Sequence, residues 1–357
     1  MTEQRATRTA NVVGLGLIGG SVASALLAKN WVVFGSDVDQ WVVERALEEG
    51  IISSAGVDRD ADVTFVAVPV TSSVEVVNEM LRSTAGLVTD VGSVKAPLCA
   101  AVTDPRFVGG HPMAGSELEG LDGADPHMFD GAIWVLTPSK DVDDDNFSLV
   151  AGLVRELGSE VLALDPAEHD RLVAVVSHLP HLTAASLMSL AQDRSEEHAS
   201  LLRLAAGGFR DMTRIASGSP KIWIDICHEN RSAILEAIDD LNAALANVRS
   251  FIAGEERSSL ETMLQKARES RANLPGRVTD PASLSEVRIR IPDRAGAAAE
   301  VFTLAAELGV NIANFEVVHL AEGNRGVAVV LVDTTVVEMF RGGLIARGFR
   351  PTVSSLT

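Results

Sequence analysis

The chain of 357 residues is long enough for two or three domains with cores of their own. Its formal net charge of −19 argues against nucleic-acid or anionic-membrane partners, because no basic patch with interleaved aromatics offsets it. Two cysteines, Cys99 and Cys227, are too few for a disulfide framework and sit among apolar residues as free thiols do, so a cytoplasmic protein is expected.

Asn11 to Val13 reads as a short apolar strand. It leads through Gly14-Leu15-Gly16-Leu17-Ile18-Gly19-Gly20 into a helix, Ser21 to Ala28, so that Gly14, Gly16 and Gly19 form GxGxxG. Those glycines permit a tight turn, close approach of backbone to a pyrophosphate and close helix–strand crossing, while the first helical turn at Leu17 and Ile18 offers unpaired N–H groups. A second strand, Trp31 to Gly35, ends at Ser36-Asp37, where a carboxylate holds a ribose 2′-hydroxyl and repels a 2′-phosphate. NAD rather than NADP is therefore expected. The uncharged run Val12 to Ala28 behind Arg5 and Arg8 mimics a signal peptide, but four glycines and two serines dilute it, and no other stretch is expected to reach a membrane-spanning length.

Strands at Asp62 to Val68, Gly86 to Thr89, Arg106 to Val108, Ala132 to Thr137 and Glu160 to Leu164 alternate with helices, the rhythm of a doubly wound sheet. Ligands bind at the carboxyl ends of such strands. Pro69 and the run Asp90-Val91-Gly92-Ser93-Val94-Lys95 therefore share an edge with the glycine loop. Gly109-Gly110-His111-Pro112-Met113-Ala114-Gly115-Ser116-Glu117 places a lone histidine there, after a strand and between a glycine pair and a proline. Ser93 reads either as a helix N-cap or as a hydroxyl facing the nicotinamide crevice.

From Asp165 to about Arg271 the pattern is helical. Ser177 and His181 share a helical face, and Pro180 should kink the segment there. His178 and His181 could ligate a metal, but no third ligand with recognisable spacing accompanies them, and no metal is expected. Ser219 and Pro220 start a helix that Trp223 anchors, and Asp211 is placed to orient Arg214 if the turn between them is helical. An arginine so held suits a substrate carboxylate.

These motifs as a set resemble the prephenate and arogenate dehydrogenase family of tyrosine biosynthesis, over about residues 10 to 275. The resemblance implies a nucleotide-binding domain (1–165) and an all-helical substrate and dimerisation domain (166–275). It also implies a catalytic His111 with the hydroxyl-binding Ser93, and substrate binding by Arg214, His181, Ser177, Ser116 and Glu117. The implied reaction takes hydride from the ring carbon that bears the hydroxyl to NAD, with loss of carbon dioxide from prephenate or arogenate in a homodimer. A 3-hydroxyacid dehydrogenase would rely on a catalytic lysine, whereas the cleft motifs here supply histidines.

A polar, proline-containing stretch (276–283) reads as a linker. Beyond it, residues 284–357 have the strand and helix order βαββαβ and resemble an ACT regulatory domain at Ile291 to Gly296 and Gly309 to Ile312. The usual proline before Gly296 is Ala295 here. The resemblance implies L-tyrosine binding near Gly296 and Asn311, or a domain used only in assembly. The expected fold class is thus α/β with a doubly wound Rossmann-type sheet, followed by an all-helical domain and an ACT-like α+β domain.

Overall fold

The glycine turn and the strands around it set the architecture seen in the computed structural model, which describes residues 8–116, 118–140, 142–197, 200–273, 284–292, 296–319 and 325–355. The chain divides into two units, Met1–Ser250 and Phe251–Thr357. In the first, the chain runs β1 (Thr9–Val13), α1 (Leu17–Ala28), β2 (Val32–Ser36), α2 (Gln40–Glu48), β3 (Ser54–Ala55), β4 (Val63–Val66), α3 (Ser73–Ser83) and β5 (Leu87–Asp90). It continues with α4 (Ala96–Ala101), β6 (Phe107–Pro112), β7 (Ile133–Thr137), α5 (Asp144–Glu156) and β8 (Glu160–Ala163). The strand order is β3-β2-β1-β4-β5-β6-β7-β8. The order reverses at β1, so the crevice outside β1 and β4 is the switch point at which such sheets bind ligands.

Gly14 has φ +91°, and a Cβ there would lie 2.3 Å from Ala67 O. A Cβ on Gly19 would lie 1.9 Å from Gly14 O, so the close crossing of α1 over β1 requires both glycines. The core behind this edge is apolar, with fully buried Trp134 packed against Phe65 and Phe129.

Two details differ from the sequence reading. The strand expected to end at Val108 continues through His111 to Pro112, because its last four residues pair with β7 from Gly109↔Thr137 to Pro112↔Trp134. That pairing is antiparallel, so the sheet is not parallel throughout. Among the described residues between β6 and β7 the chain forms a short 3-10 turn, Gly120–Gly123, rather than the crossover helix that a parallel return requires.

The first unit then turns helical through α6 (Pro166–Val173), α7 (Leu179–Glu197), α8 (Gly207–Thr213), α9 (Pro220–Glu229) and α10 (Arg231–Ala253). Asp165 caps α6 by accepting from Ala167 N and Glu168 N, with Pro166 at its first position. The distortion expected at Pro180 lies one turn earlier, where Ala174–His178 widens into a π-turn. Pro180 has no N–H for the carbonyl one turn back and its ring crowds that carbonyl, and a π-turn relieves both. The run Pro166–Ser195 corrects a further expectation: it is 30 residues long and holds an 18-residue stretch of mean hydropathy 1.3, enough to cross a membrane by length and composition. It nonetheless carries buried His169, Asp170, His178 and His181, polar groups that lipid would penalise.

In the second unit, α11 (Arg257–Ala272) precedes β9 (Leu284–Pro292), α12 (Ala297–Glu307), β10 (Ile312–His319), β11 (Arg325–Asp333), α13 (Val337–Ala346) and β12 (Pro351–Ser355). The four strands form an antiparallel sheet in the order β10-β11-β9-β12. Val287, Ile289, Val301, Val330, Phe340 and Leu344 form its core. The element order is the βαββαβ pattern read from sequence. The expected linker and Ala295 lie outside the described residues.

Candidate active site

The residues at the sheet edge meet the helical segment through one buried chain of hydrogen bonds. His111, half-buried near the end of β6, has its Nδ1 2.8 Å from His169 Nε2, and the two rings stand edge to face with centroids 5.0 Å apart. His169 Nδ1 is in turn 2.8 Å from Asp170 Oδ1. Asp170 also accepts from Lys95 N on Oδ1 and from Ala96 N on Oδ2, each at 2.8 Å. A carboxylate only accepts, so His169 Nδ1 carries the proton of that contact. In the neutral state of the pair, His169 Nε2 then accepts from the Nδ1–H of His111. Nε2 of His111 is left as a bare lone pair. Burial first, then the positive charge available to His169, Lys95 and His178, holds the His111 ring well below the usual imidazole range, which keeps it a free base at neutral pH.

Gly109 and Gly110 are required by contact rather than by turn geometry. A Cβ on Gly109 would lie 2.5 Å from Thr137 Oγ1, and one on Gly110 2.6 Å from Asp90 O. The glycine pair lets β6 run tightly between β5 and β7, and so fixes where His111 emerges.

A second buried group lies beside the first. Asn230 Nδ2 donates to Asp170 O at 2.8 Å and to His178 Nδ1 at 3.2 Å. Desolvation pushes His178 down to about 4. His181 stacks on Trp223, ring centroids 3.6 Å apart, with Gly218 against its edge. Burial lowers His181 as well, which favours its neutral ring. Val94, next to Ser93, packs with Ala174, Leu179, Leu182 and Trp223, which draws the loop after β5 onto the helix that carries Ser177 and His181.

The expected nucleotide residues occupy a consistent cradle. Asp37 Oδ2 accepts from Leu15 N at 2.7 Å and its Oδ1 from Asp39 N at 3.0 Å, so the carboxylate is tied to the glycine loop. A Cβ on Gly16 would meet nothing within 4 Å, so the space before Leu17 and Ile18 is open. Pro69 is exposed after β4 and caps the turn Val70–Ser72 on the same edge. These residues fit a dinucleotide pyrophosphate at the start of α1 and a ribose at Asp37.

Other expected residues lie outside the His111–His169–Asp170 chain of hydrogen bonds. Ser93 is half-buried in a bend, and Lys95 rather than Ser93 occupies the N-cap of α4. The hydrogen-bond partner of His111 is His169, not Ser93. Ser177 is half-buried within the π-turn. Arg214 is exposed at the start of the 3-10 turn Arg214–Ser217, which packs against α7. Ser116 is exposed and accepts from Leu118 N at 3.1 Å. Glu117 lies outside the described residues. Sequence reasoning missed His169, Asp170, Asn230 and the role of Lys95. The one signal available was Asp165-Pro166, which starts a helix and sets His169 and Asp170 in its first turns. Among the described residues no group of three or more His, Cys, Asp or Glu side chains could hold a metal.

A switch-point nucleotide cradle beside a histidine base held by a second histidine and a carboxylate defines an NAD-type dehydrogenase site. Residues 22–163 match the family model "Prephenate dehydrogenase, nucleotide-binding domain", and 165–266 match "Prephenate dehydrogenase, dimerization domain". The chain is 31% identical over 334 residues to the prephenate dehydrogenase of Bacillus subtilis (strain 168), covering 88% of this chain and 90% of that one. It is similar to the crystal structure of prephenate dehydrogenase from A. aeolicus in complex with hydroxyphenyl propionate and NAD+, with TM-score 0.72, 29% identity, and 76% of this chain and 100% of that chain covered. It is also similar to Synechocystis arogenate dehydrogenase, with TM-score 0.64, 30% identity, and 74% and 98% covered. The chain belongs to the prephenate dehydrogenase family.

One prediction concerns pH and stability. His178 has a folded-state pKa of about 4 against an ordinary 6.5, so the unfolded chain binds more protons between those values. The stability this neutral ring contributes is present above about pH 6.5 and lost as pH falls toward 4. The loss is on the order of 3 kcal/mol. Thermal unfolding midpoints between pH 7 and 4.5 should fall steeply, and less steeply in His178→Gln; equal slopes would remove His178 from the account.

Proposed function

We propose that this chain is an NAD-dependent prephenate dehydrogenase, which oxidises and decarboxylates prephenate to 4-hydroxyphenylpyruvate. The observation that carries the reading is the His111–His169–Asp170 chain, which leaves a bare His111 Nε2 at the edge that also carries the nucleotide cradle. When bound, NAD supplies the acceptor for the hydride that leaves the ring carbon bearing the hydroxyl.

His111 Nε2 takes the hydroxyl proton as that hydride departs, so that a ring carbonyl forms. The dienone is activated to expel its ring carboxylate as carbon dioxide, the electron pair of the broken bond aromatises the ring to a phenolate, and the phenolate takes back the proton held at His111 Nε2. Asp170 faces the charge that develops on the histidine pair, as an oriented acceptor already in place. Ser93 holds the hydroxyl. Arg214 supplies the positive charge for a substrate carboxylate, the neutral His181 donates a hydrogen bond to the substrate, and Ser177 and Ser116 add hydroxyl groups to its binding. Asp37 selects NAD over NADP.

The exposed apolar side chains of the helical segment, among them Val175, Val176, Leu190, Ile222 and Ile224, suit a partner subunit. We read the protein as a soluble cytoplasmic homodimer. In the βαββαβ unit, Gly296 starts α12 at φ +87° and Asn311 is exposed at its far end. A domain–domain interface that uses backbone around Gly296 and the side chain of Asn311 is the proposed place for L-tyrosine in an ACT-like regulatory domain. Calorimetry on the full chain should show heat with L-tyrosine; none with either L-tyrosine or L-phenylalanine, with kinetics unchanged at millimolar effector, would leave the unit as an assembly element.

Absorbance of NADH with prephenate and with arogenate tests the reading. Prephenate with NAD should give the higher kcat/KM. A preference for arogenate would assign its amino-bearing analogue as substrate, and comparable efficiency with NADP would contradict the role of Asp37. His111→Asn should lower kcat by roughly two to four orders of magnitude with little change in KM. Near-normal turnover in that variant would remove His111 from the mechanism.

A further inference from the structure

Lys95 and Asp90 form an ion pair with side chains 0% and 1% exposed, beside the base yet outside its hydrogen-bonded chain. Their surroundings show why a buried charge pair is found there. Strand β6 pairs with β5 at Val88↔Phe107 and Thr89↔Val108, then takes β7 as its partner from Gly109 onward. β5 ends at Asp90, so β5 supplies no main-chain partner for Gly110.

Side chains take the place of that strand. Gly110 N donates to Asp90 Oδ1 at 3.1 Å, and Gly110 O accepts from Lys95 Nζ at 2.8 Å. Asp90 Oδ2 accepts from Lys95 Nζ and, at 2.8 Å, from Gly92 N, which locks the loop that supplies both residues. Gly110 is the residue before His111. The main-chain N–H of Lys95 meanwhile donates to Asp170 Oδ1, the same oxygen that orients His169. One residue thus holds both ends of the chain: its side chain sets the strand that carries His111, and its backbone sets the carboxylate that fixes His169.

We propose that the Lys95–Asp90 ion pair is the positioning device of the reaction, a side-chain rung that completes the sheet at Gly110 and holds His111 within hydrogen-bonding distance of His169. A pair kept only for stability has little physical motive, since a buried ion pair is often no better than an apolar pair of the same volume. A directional clamp on one peptide group is something apolar side chains cannot supply. The steric fit agrees: a Cβ on Gly110 would lie 2.6 Å from Asp90 O and 3.0 Å from both Thr89 Oγ1 and Trp134 Nε1, so the strand is seated with no slack. The charged and titratable groups near the His111 ring are His169 from α6, His178 from the π-turn and Lys95 from the loop after β5. The cation of Lys95 opposes protonation of the ring, in the direction a base requires.

The inference rests on His111 being the base, which His111→Asn tests separately. The test here is the double variant Asp90→Asn with Lys95→Met, which removes both charges and the donor to Gly110 O. It should fold, with an unfolding midpoint near that of the unmodified protein. Its kcat should fall by roughly 10²-fold, as expected of a base displaced by about 1 Å, while KM for NAD and prephenate stays within about threefold. The solvent deuterium isotope effect on kcat should rise, because proton transfer to a displaced ring becomes limiting. Asp90→Asn alone keeps Lys95 as the donor to Gly110 O as well as an acceptor for Gly110 N, and should lose less. A folded double variant with kcat within about threefold, a loss confined to KM, or an equal loss in the single variant would each overturn the proposal. Failure of the double variant to fold would overturn it too, because the pair would then serve stability alone.

Discussion

The first unit depends on a single buried carboxylate. Asp170 accepts hydrogen bonds from the His169 ring and from the main-chain N–H groups of Lys95 and Ala96, and its own carbonyl accepts from Asn230. These contacts join the start of α4, the first turns of α6 and the junction of α9 with α10. A buried carboxylate needs its oxygens satisfied in this way. The same contacts decide chemistry, because an acceptor that cannot donate dictates where each proton of the two histidines sits. Structural satisfaction and catalytic polarity are here one requirement.

From this follows the division of labour between the sheet and the helical segment. The sheet contributes what must be rigid and close: the glycine cradle, Asp37 and the strand that carries His111. The helical segment contributes His169 and Asp170, which orient the His111 ring, and carries the His181–Trp223 stack and the turn of Arg214. Many apolar side chains of the same segment are exposed in the single chain, a face that suits the dimerization domain whose family model it matches. The π-turn before Pro180 belongs to this arrangement, since it sets His178 and the following helix without leaving a clash at the proline.

Much of this was legible in the amino-acid sequence where the signal was local. Glycine spacing, the acid after β2 and the Gly-Gly-His-Pro run each state their geometry within a few residues. What escaped was set by partners distant in sequence. His169 and Asp170 look like the ordinary polar start of a helix, and only the fold brings them to His111, 58 residues away. Lys95 stood inside a recognised motif, yet its purpose depends on β6 leaving β5 after Val108, a parting that sequence periodicity does not reveal. The reversal of β7 was missed for a related reason: a long loop with a 3-10 turn reads the same whether the chain returns parallel or antiparallel. The second unit was legible as an element order because its strands alternate clearly.

The central claim is that Asp170 fixes both histidine tautomers and so leaves His111 Nε2 bare. Nitrogen NMR of the histidine side chains in the full-length protein at neutral pH reads this directly. The account predicts His111 as a neutral ring protonated at Nδ1 and unprotonated at Nε2, with His169 likewise protonated at Nδ1, and it predicts that Asp170→Asn disturbs both patterns. A His111 ring protonated at Nε2, or an imidazolium at neutral pH, would contradict it.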